Sequence, residues 1–207
     1  FHLAATDRGL YYGEYRSNHE RSPVGIYRSV DAGLSFDRVA TFVRVRHIHG
    51  VFVDPWKSGS LLVATGDDDE ESAIWRFDEE SGVVDKLLGG SQQFRAVTLV
   101  PRESAIYFGS DTPRQRNSLY RFDRVSGDVE QLCEVGGSVF WGRGLPDGGI
   151  AFSTVVEPSE VNPTRHAELW VAPRGGEFSL VRRYRADFLH PKLFQYSQIR
   201  FPNGPGE

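Results

Sequence analysis

Four segments of this chain repeat one shape at intervals of about forty-five to fifty residues: "GIYRSVDAG" from Gly25, "AIWRFDEESG" from Ala73, "SLYRFDRVSG" from Ser118 and "ELWVAPRGG" from Glu168. Each holds an aromatic residue in mid-strand (Tyr27, Trp75, Tyr120 or Trp170) and runs into a polar turn with glycine. A short strand follows every turn: "SFDRVATF", "VVDKLL", "DVEQLC" and "EFSLVRR". Two further strands precede each segment. The first-strand candidates are "HIHGVFVDP", "FRAVTLVPR", "VFWGRGLPD" and "FQYSQIRFPNG", and the second-strand candidates are "GLYYGEY", "SLLVATGD", "AIYFGSD" and "GIAFSTVVE". That length and strand count match one blade of a β-propeller, and no convincing amphipathic helix of ordinary length is found.

The period therefore predicts an all-β chain made of β-propeller blades, each a four-stranded antiparallel sheet. The expected blades are residues 2–42, 47–88, 94–133 and 139–185, with residues 194–204 opening a fifth. A lone fifth strand would leave open sheet edges. The sequence thus reads as one domain, 1–207, that is a fragment of a propeller of six or seven blades. Twenty-two glycines and fourteen phenylalanines agree with strands and tight turns.

Composition narrows the function classes. The net charge of −4 carries no nucleic-acid footprint. No apolar run is long enough to span a bilayer. Cys133 is the only cysteine, so neither a disulfide framework nor a cysteine zinc site is expected, and it reads as a small packed hydrophobe. No signal-peptide pattern opens the chain, which begins at Phe1, and its location stays open.

One turn is more specific. Ser29, Asp31, Gly33, Ser35 and Phe36 form the pattern S-x-D-x-G-x-S-F. It resembles the Asp-box, the BNR repeat of sialidases and related propellers, with Phe36 where tryptophan is more usual. The resemblance implies a turn between the third and fourth strands of a blade, with Asp31 accepting bonds from its own turn. It also implies a sialidase-like or glycosidase-like superfamily, although the Arg-Ile-Pro segment usual in sialidases is absent here. The role of Asp31 on this reading is structural.

In a four-stranded meander the loops after strands two and four leave at one end, opposite the turn just described. That end is the candidate site. Aligning the first strands puts His49, Arg95, Phe140 and Tyr196 at equivalent places, and His47, Gln93, Ser138 and Phe194 at another set. Residues two apart on a strand face the same way, so His47 and His49 share a face. His47, His49, Arg95 and Tyr196 are expected to converge there, with Gln92 or Gln93 beside them.

The acidic run Asp67 to Glu71 reads as a solvated loop; its alternative is to hold a cation or, through Asp67, to serve as an acid or base next to His49. Asp111 and Glu157 end the second strands of later blades and are further carboxylate candidates, while Trp141 offers a ring for stacking on a sugar.

The expected function is a glycan-binding or glycan-processing propeller, with carbohydrate as partner and no cofactor. Hydrolysis would draw on Asp67, Asp111 or Glu157. A polysaccharide lyase is the alternative, with Arg95 neutralising a uronate while His49 and Tyr196 move protons. A non-catalytic protein-interaction propeller is the second alternative. A transition metal on His47 and His49, with Asp67 as an oxygen ligand, is a lesser alternative, and no metal is the main expectation because no third nitrogen ligand is evident.

Overall fold

A computed structural model gives the structure, and its description covers residues 2–185. The described residues form sixteen strands in four antiparallel sheets of four, each a simple meander. The first sheet is β1 (Ala4–Thr6), β2 (Gly9–Gly13), β3 (Val24–Ser29) and β4 (Asp37–Phe42). The second is β5 (His47–Val53), β6 (Ser60–Gly66), β7 (Ala73–Asp78) and β8 (Val84–Gly89). The third is β9 (Ala96–Pro101), β10 (Ala105–Ser110), β11 (Ser118–Asp123) and β12 (Val129–Glu134). The fourth is β13 (Val139–Gly144), β14 (Ile150–Thr154), β15 (His166–Ala172) and β16 (Ser179–Arg185). These are β-propeller blades. The expected strand "FQYSQIRFPNG", with Phe194 and Tyr196, lies outside the described residues.

The chain divides into two compact units, residues 1–96 and 97–207. In the first unit the two sheets share an apolar core that includes Tyr11, Val24, Ile26, Ile48, Val51, Leu61, Val63 and Phe77. Full burial of each such side chain contributes about 1.5–3 kcal/mol. Gly13 makes the close approach possible: a Cβ there would lie 2.2 Å from Ile48 Cγ2. The second unit repeats the device, with a Cβ on Gly109 falling 2.4 Å from Val139 Cβ. A second core gathers Val100, Leu119, Val139, Ile150 and Phe152, with Trp170 and Cys133 packed against it.

Three of the four third strands run into an aspartate at or just past their end, Asp31, Asp78 and Asp123, for a visible reason. Asp31 Oδ1 accepts bonds from Ser29 Oγ at 2.7 Å and Ser35 N at 2.9 Å, and Oδ2 accepts one from Ser35 Oγ at 2.6 Å. Ala32 and Gly33 sit at φ of +58° and +91°, which Gly33 tolerates without strain. Asp78 and Asp123 cap their own turns in the same way, through the amides of Ser81 and of Val125 and Ser126. The Asp31 carboxyl is lowered to about 2 by the Ser35 hydroxyl and amide and the Ser29 hydroxyl.

One strand start differs from expectation. The segment from Phe94 does not begin as a strand: Gln92–Phe94 form a 3-10 turn, and β9 starts at Ala96. The turn closes through Phe94 N–H to Ser91 O and Arg95 N–H to Gln92 O. It delivers Arg95 from the turn's end rather than from within the strand.

Candidate functional site

The loops after β2, β6 and β8 of the first unit leave at the end of the sheets where β5 begins. His47 pairs with Gly66 across β5 and β6, so the first residue of one strand lies beside the last of the other. Asp67 follows Gly66 and therefore arrives next to His47. The β5–β6 register shifts between Ile48 and Gly50, leaving His49 as an extra residue opposite the ladder. Such a bulge re-aims a side chain. β13 carries the same irregularity between Val139 and Trp141, at Phe140.

The result is a cluster centred on Asp67. Its Oδ1 lies 3.4 Å from His47 Nε2, 3.5 Å from His49 Nε2 and 3.1 Å from Arg95 Nη2. Its Oδ2 accepts a bond from Arg46 Nη1 at 2.7 Å. The two Nε2 atoms are 3.0 Å apart, and His49 Nδ1 donates to the carbonyl of Ala96 at 2.9 Å. Both histidines are buried, and Asp67 has 14% of its side chain exposed. Burial pushes the Asp67 carboxyl up, but the His47 and His49 rings beside it and the Arg95 charge outweigh it. They hold the group well below the usual carboxylate range.

Gln92 is buried beside this cluster and donates through Nε2 to Asp67 O at 2.9 Å and to Asp69 Oδ1 at 2.8 Å. Gln93 is half-buried on the 3-10 turn. Tyr15, just past β2, stacks its ring on His47 at 4.0 Å between centroids and keeps 48% of its surface exposed.

The acidic run is not the solvated loop that its composition predicts. Glu71 is buried and folds back into the loop. Its Oε1 accepts from the amides of Asp67 and Asp68 and from Arg21 Nη2, and its Oε2 from the amide of Arg46. Three backbone N–H donors converging on one carboxylate make that burial favourable.

The other blades solve the same problem with asparagine. Asn18 holds Ser22 and the carbonyls of Val45 and Arg46; Asn117 holds Thr112; Asn162 holds the carbonyls of Thr112 and Gln115. Sequence reasoning missed Arg46, Glu71 and this set. The signal was available, as one amide or carboxylate in each loop after a second strand, but loop lengths differ and hide the register.

The remaining candidates belong to the second unit. Asp111 is buried directly after β10, and Glu157 is exposed after β14. Trp141 is half-buried at the β13 irregularity. Tyr196 lies outside the described residues.

No protein-family profile matches the sequence, and no curated protein matches it. Solved structures do. The chain is similar to TolB from Acinetobacter baumannii at 17% identity and a TM-score of 0.59, covering 88% of this chain and 43% of that one. It is similar to a puromycin hydrolase at 14% identity and a TM-score of 0.58, covering 86% and 28%. A third similar structure is the acylaminoacyl peptidase of Pyrococcus horikoshii, at 13% identity and a TM-score of 0.52, covering 87% and 31%. The chain spans less than half the length of each of these three. The likeness shows the β-propeller fold.

Two expectations are corrected by these findings. The turn from Ser29 to Phe36 resembles an Asp-box, yet the structural relatives are TolB-like and peptidase propellers, not sialidase-type BNR propellers. The pattern is a local solution to a strand turn, in which the hydroxyls of Ser29 and Ser35 and the Ser35 amide bond one carboxylate while the Gly33 amide bonds Ser29 Oγ. The capped turns at Asp78 and Asp123 reach the same end without it. The glycan-processing reading and its carbohydrate partner fall with the family, because that family carried them. No helix among the described residues is long and apolar enough to cross a membrane.

Proposed function

We propose that this chain is a non-catalytic, protein-interaction propeller, and that the end of the blades bearing Tyr15 and the Asp67 cluster receives the partner. The observation that carries the reading is the state of the cluster. Asp67 is held by Arg46 and Arg95 and enclosed by the two histidines, so the group reads as a rigid, preorganised support rather than as an acid waiting for a substrate. Above it Tyr15 presents a half-exposed ring locked by its stack on His47. A rigid aromatic surrounded by polar groups is the usual anchor of a protein interface. Around it the exposed Arg16, His19, Asp69 and Glu70 give a rim of mixed charge. The similarity to TolB and to two propeller-bearing hydrolases supports a propeller that works alongside other protein parts.

The reading is tested with an immobilised peptide library. Peptides that bind the chain are expected to lose at least about tenfold in affinity with Tyr15→Ala, a typical anchor loss. Panels of polysaccharides and peptides are expected to stay intact over hours. Turnover of any of them by the chain, abolished in Asp67→Asn, would overturn the reading.

A further inference from the structure

We propose that His47, His49 and Asp67 form a binding site for a late first-row divalent metal ion, with zinc the ion that fits best. The inference stands apart from the interaction reading, since a structural metal serves any function.

Three donor atoms, His47 Nε2, His49 Nε2 and Asp67 Oδ1, form a triangle with edges of 3.0, 3.4 and 3.5 Å. An ion bound tetrahedrally at about 2.0–2.1 Å has ligand-to-ligand edges of about 3.3–3.4 Å. The triangle therefore matches one face of such a tetrahedron without rearrangement of the backbone.

Protons point the same way. His49 Nδ1 faces a carbonyl, which only accepts, so that nitrogen carries the hydrogen. In the neutral ring His49 Nε2 is then a bare lone pair. It faces Asp67 Oδ1, another acceptor, at 3.5 Å. One hydrogen, on His47 Nε2, is left to serve both contacts. A cation at the centre of the triangle resolves all three acceptors at once. A carbonyl behind the distal nitrogen is also the usual way a metal-binding histidine is oriented. Among the described residues His47 Nδ1 has no hydrogen-bond partner, so the ring's hydrogen can move there and free Nε2 when a metal binds.

The surroundings hold the donors in place. Arg46 takes the other carboxylate oxygen, leaving Oδ1 directed at the histidines. Arg95 shares Oδ1 at 3.1 Å, and a carboxylate oxygen has lone pairs for both. The two guanidinium charges weaken affinity relative to an isolated His-His-Asp set. Gly66 lets the loop close: a Cβ there would lie 3.3 Å from His49 Cε1 and from Arg95 Cγ. Two imidazoles select zinc, copper, nickel or iron over magnesium and calcium. The ion would tie the loop after β6 to the start of β5, under the ring of Tyr15.

The rival occupant of the triangle is a proton on His49, and the experiment separates the two. The chain is stripped with a chelator, and zinc binding is followed by calorimetry and by thermal unfolding, with magnesium as comparison. Cobalt substitution is followed by visible absorption. The expected result is one zinc per chain, a melting temperature raised by zinc and not by magnesium, and an intense tetrahedral cobalt band. His47→Gln and His49→Gln are each expected to weaken zinc binding at least tenfold. No stoichiometric zinc, or zinc binding that survives both substitutions, overturns the site. Should either variant fail to fold, the cobalt spectrum of the unmutated chain decides: an octahedral-type weak band, or none, overturns it equally.

Discussion

The Nε2 atoms of His47 and His49 face each other at 3.0 Å, although the two residues belong to one strand and are separated by a single position. Same-face neighbours on a regular strand stand further apart at their tips than this contact allows. The β5 irregularity at His49 draws the rings together over Asp67. The cluster's geometry thus depends on backbone as much as on side chains, and the predictions below separate the two.

Removing the central carboxylate should be severe. Asp67→Ala leaves Arg46 and Arg95 facing each other in a poorly hydrated place. Breaking a buried ionic group from one side costs about 3–5 kcal/mol. Denaturant unfolding of the variant should show a loss near that range, with an unchanged slope. A loss below 1 kcal/mol would mean that water screens the cluster.

Glu71 should behave as a backbone organiser. Glu71→Gln replaces one accepting oxygen by an NH2 group that cannot accept from the amides of Arg46, Asp67 or Asp68. The expected cost is about 1–3 kcal/mol, as for an unsatisfied buried donor. Hydrogen exchange should accelerate at the amides left facing the NH2 group: that of Arg46, or those of Asp67 and Asp68. Acceleration spread evenly over the first two sheets would indicate global destabilisation instead.

Gly66→Ala tests the close approach of the loop. The added methyl would lie 3.1 Å from Ser72 Oγ and 3.3 Å from His49 Cε1. Overpacking of this sort costs about 1–3 kcal/mol. The His49 ring resonances should shift while the Asp31 turn stays unchanged. A silent substitution would show that the loop has slack.

Acid should unlock the turn at Asp31 late. Its carboxyl is lowered from 3.8 to about 2 by the Ser35 hydroxyl and amide and the Ser29 hydroxyl. A depressed folded-state value means stability that is fully present above about 3.8 and is lost as pH falls toward 2. Asp31→Asn should remove that part of the acid dependence in unfolding experiments between those two values. An unchanged acid profile would show that the turn bonds do not favour the ionised form.

The sequence revealed the four-strand period because it is carried by side chains that must recur. Tyr27, Trp75, Tyr120 and Trp170 sit on β3, β7, β11 and β15, where the sheet needs a large ring at each repeat. The nearness of His47, His49 and Arg95 was legible from strand starts, since antiparallel order brings those starts to one end. Other features were hidden. Glu71 looks like part of a solvated acidic run, and only the fold supplies the amides that bury it. The 3-10 turn at Gln92–Phe94 rests on two backbone bonds and leaves no residue pattern. Ser29 to Phe36 misled in the opposite sense, because a turn motif reports local bonding and was read as ancestry.

Site-specific photo-crosslinking tests the central claim most directly. A photoreactive phenylalanine derivative, which keeps an aromatic ring at the anchor, is placed at Tyr15, on the proposed partner-receiving end, or at Leu34, which is 89% exposed in the turn at the opposite end of the same sheet. With a library-selected peptide ligand present, the account predicts adducts from position 15 that disappear on adding unlabelled peptide, and none from position 34. Adducts from position 34 alone would contradict it, and would move the interaction surface to the Asp31 turn.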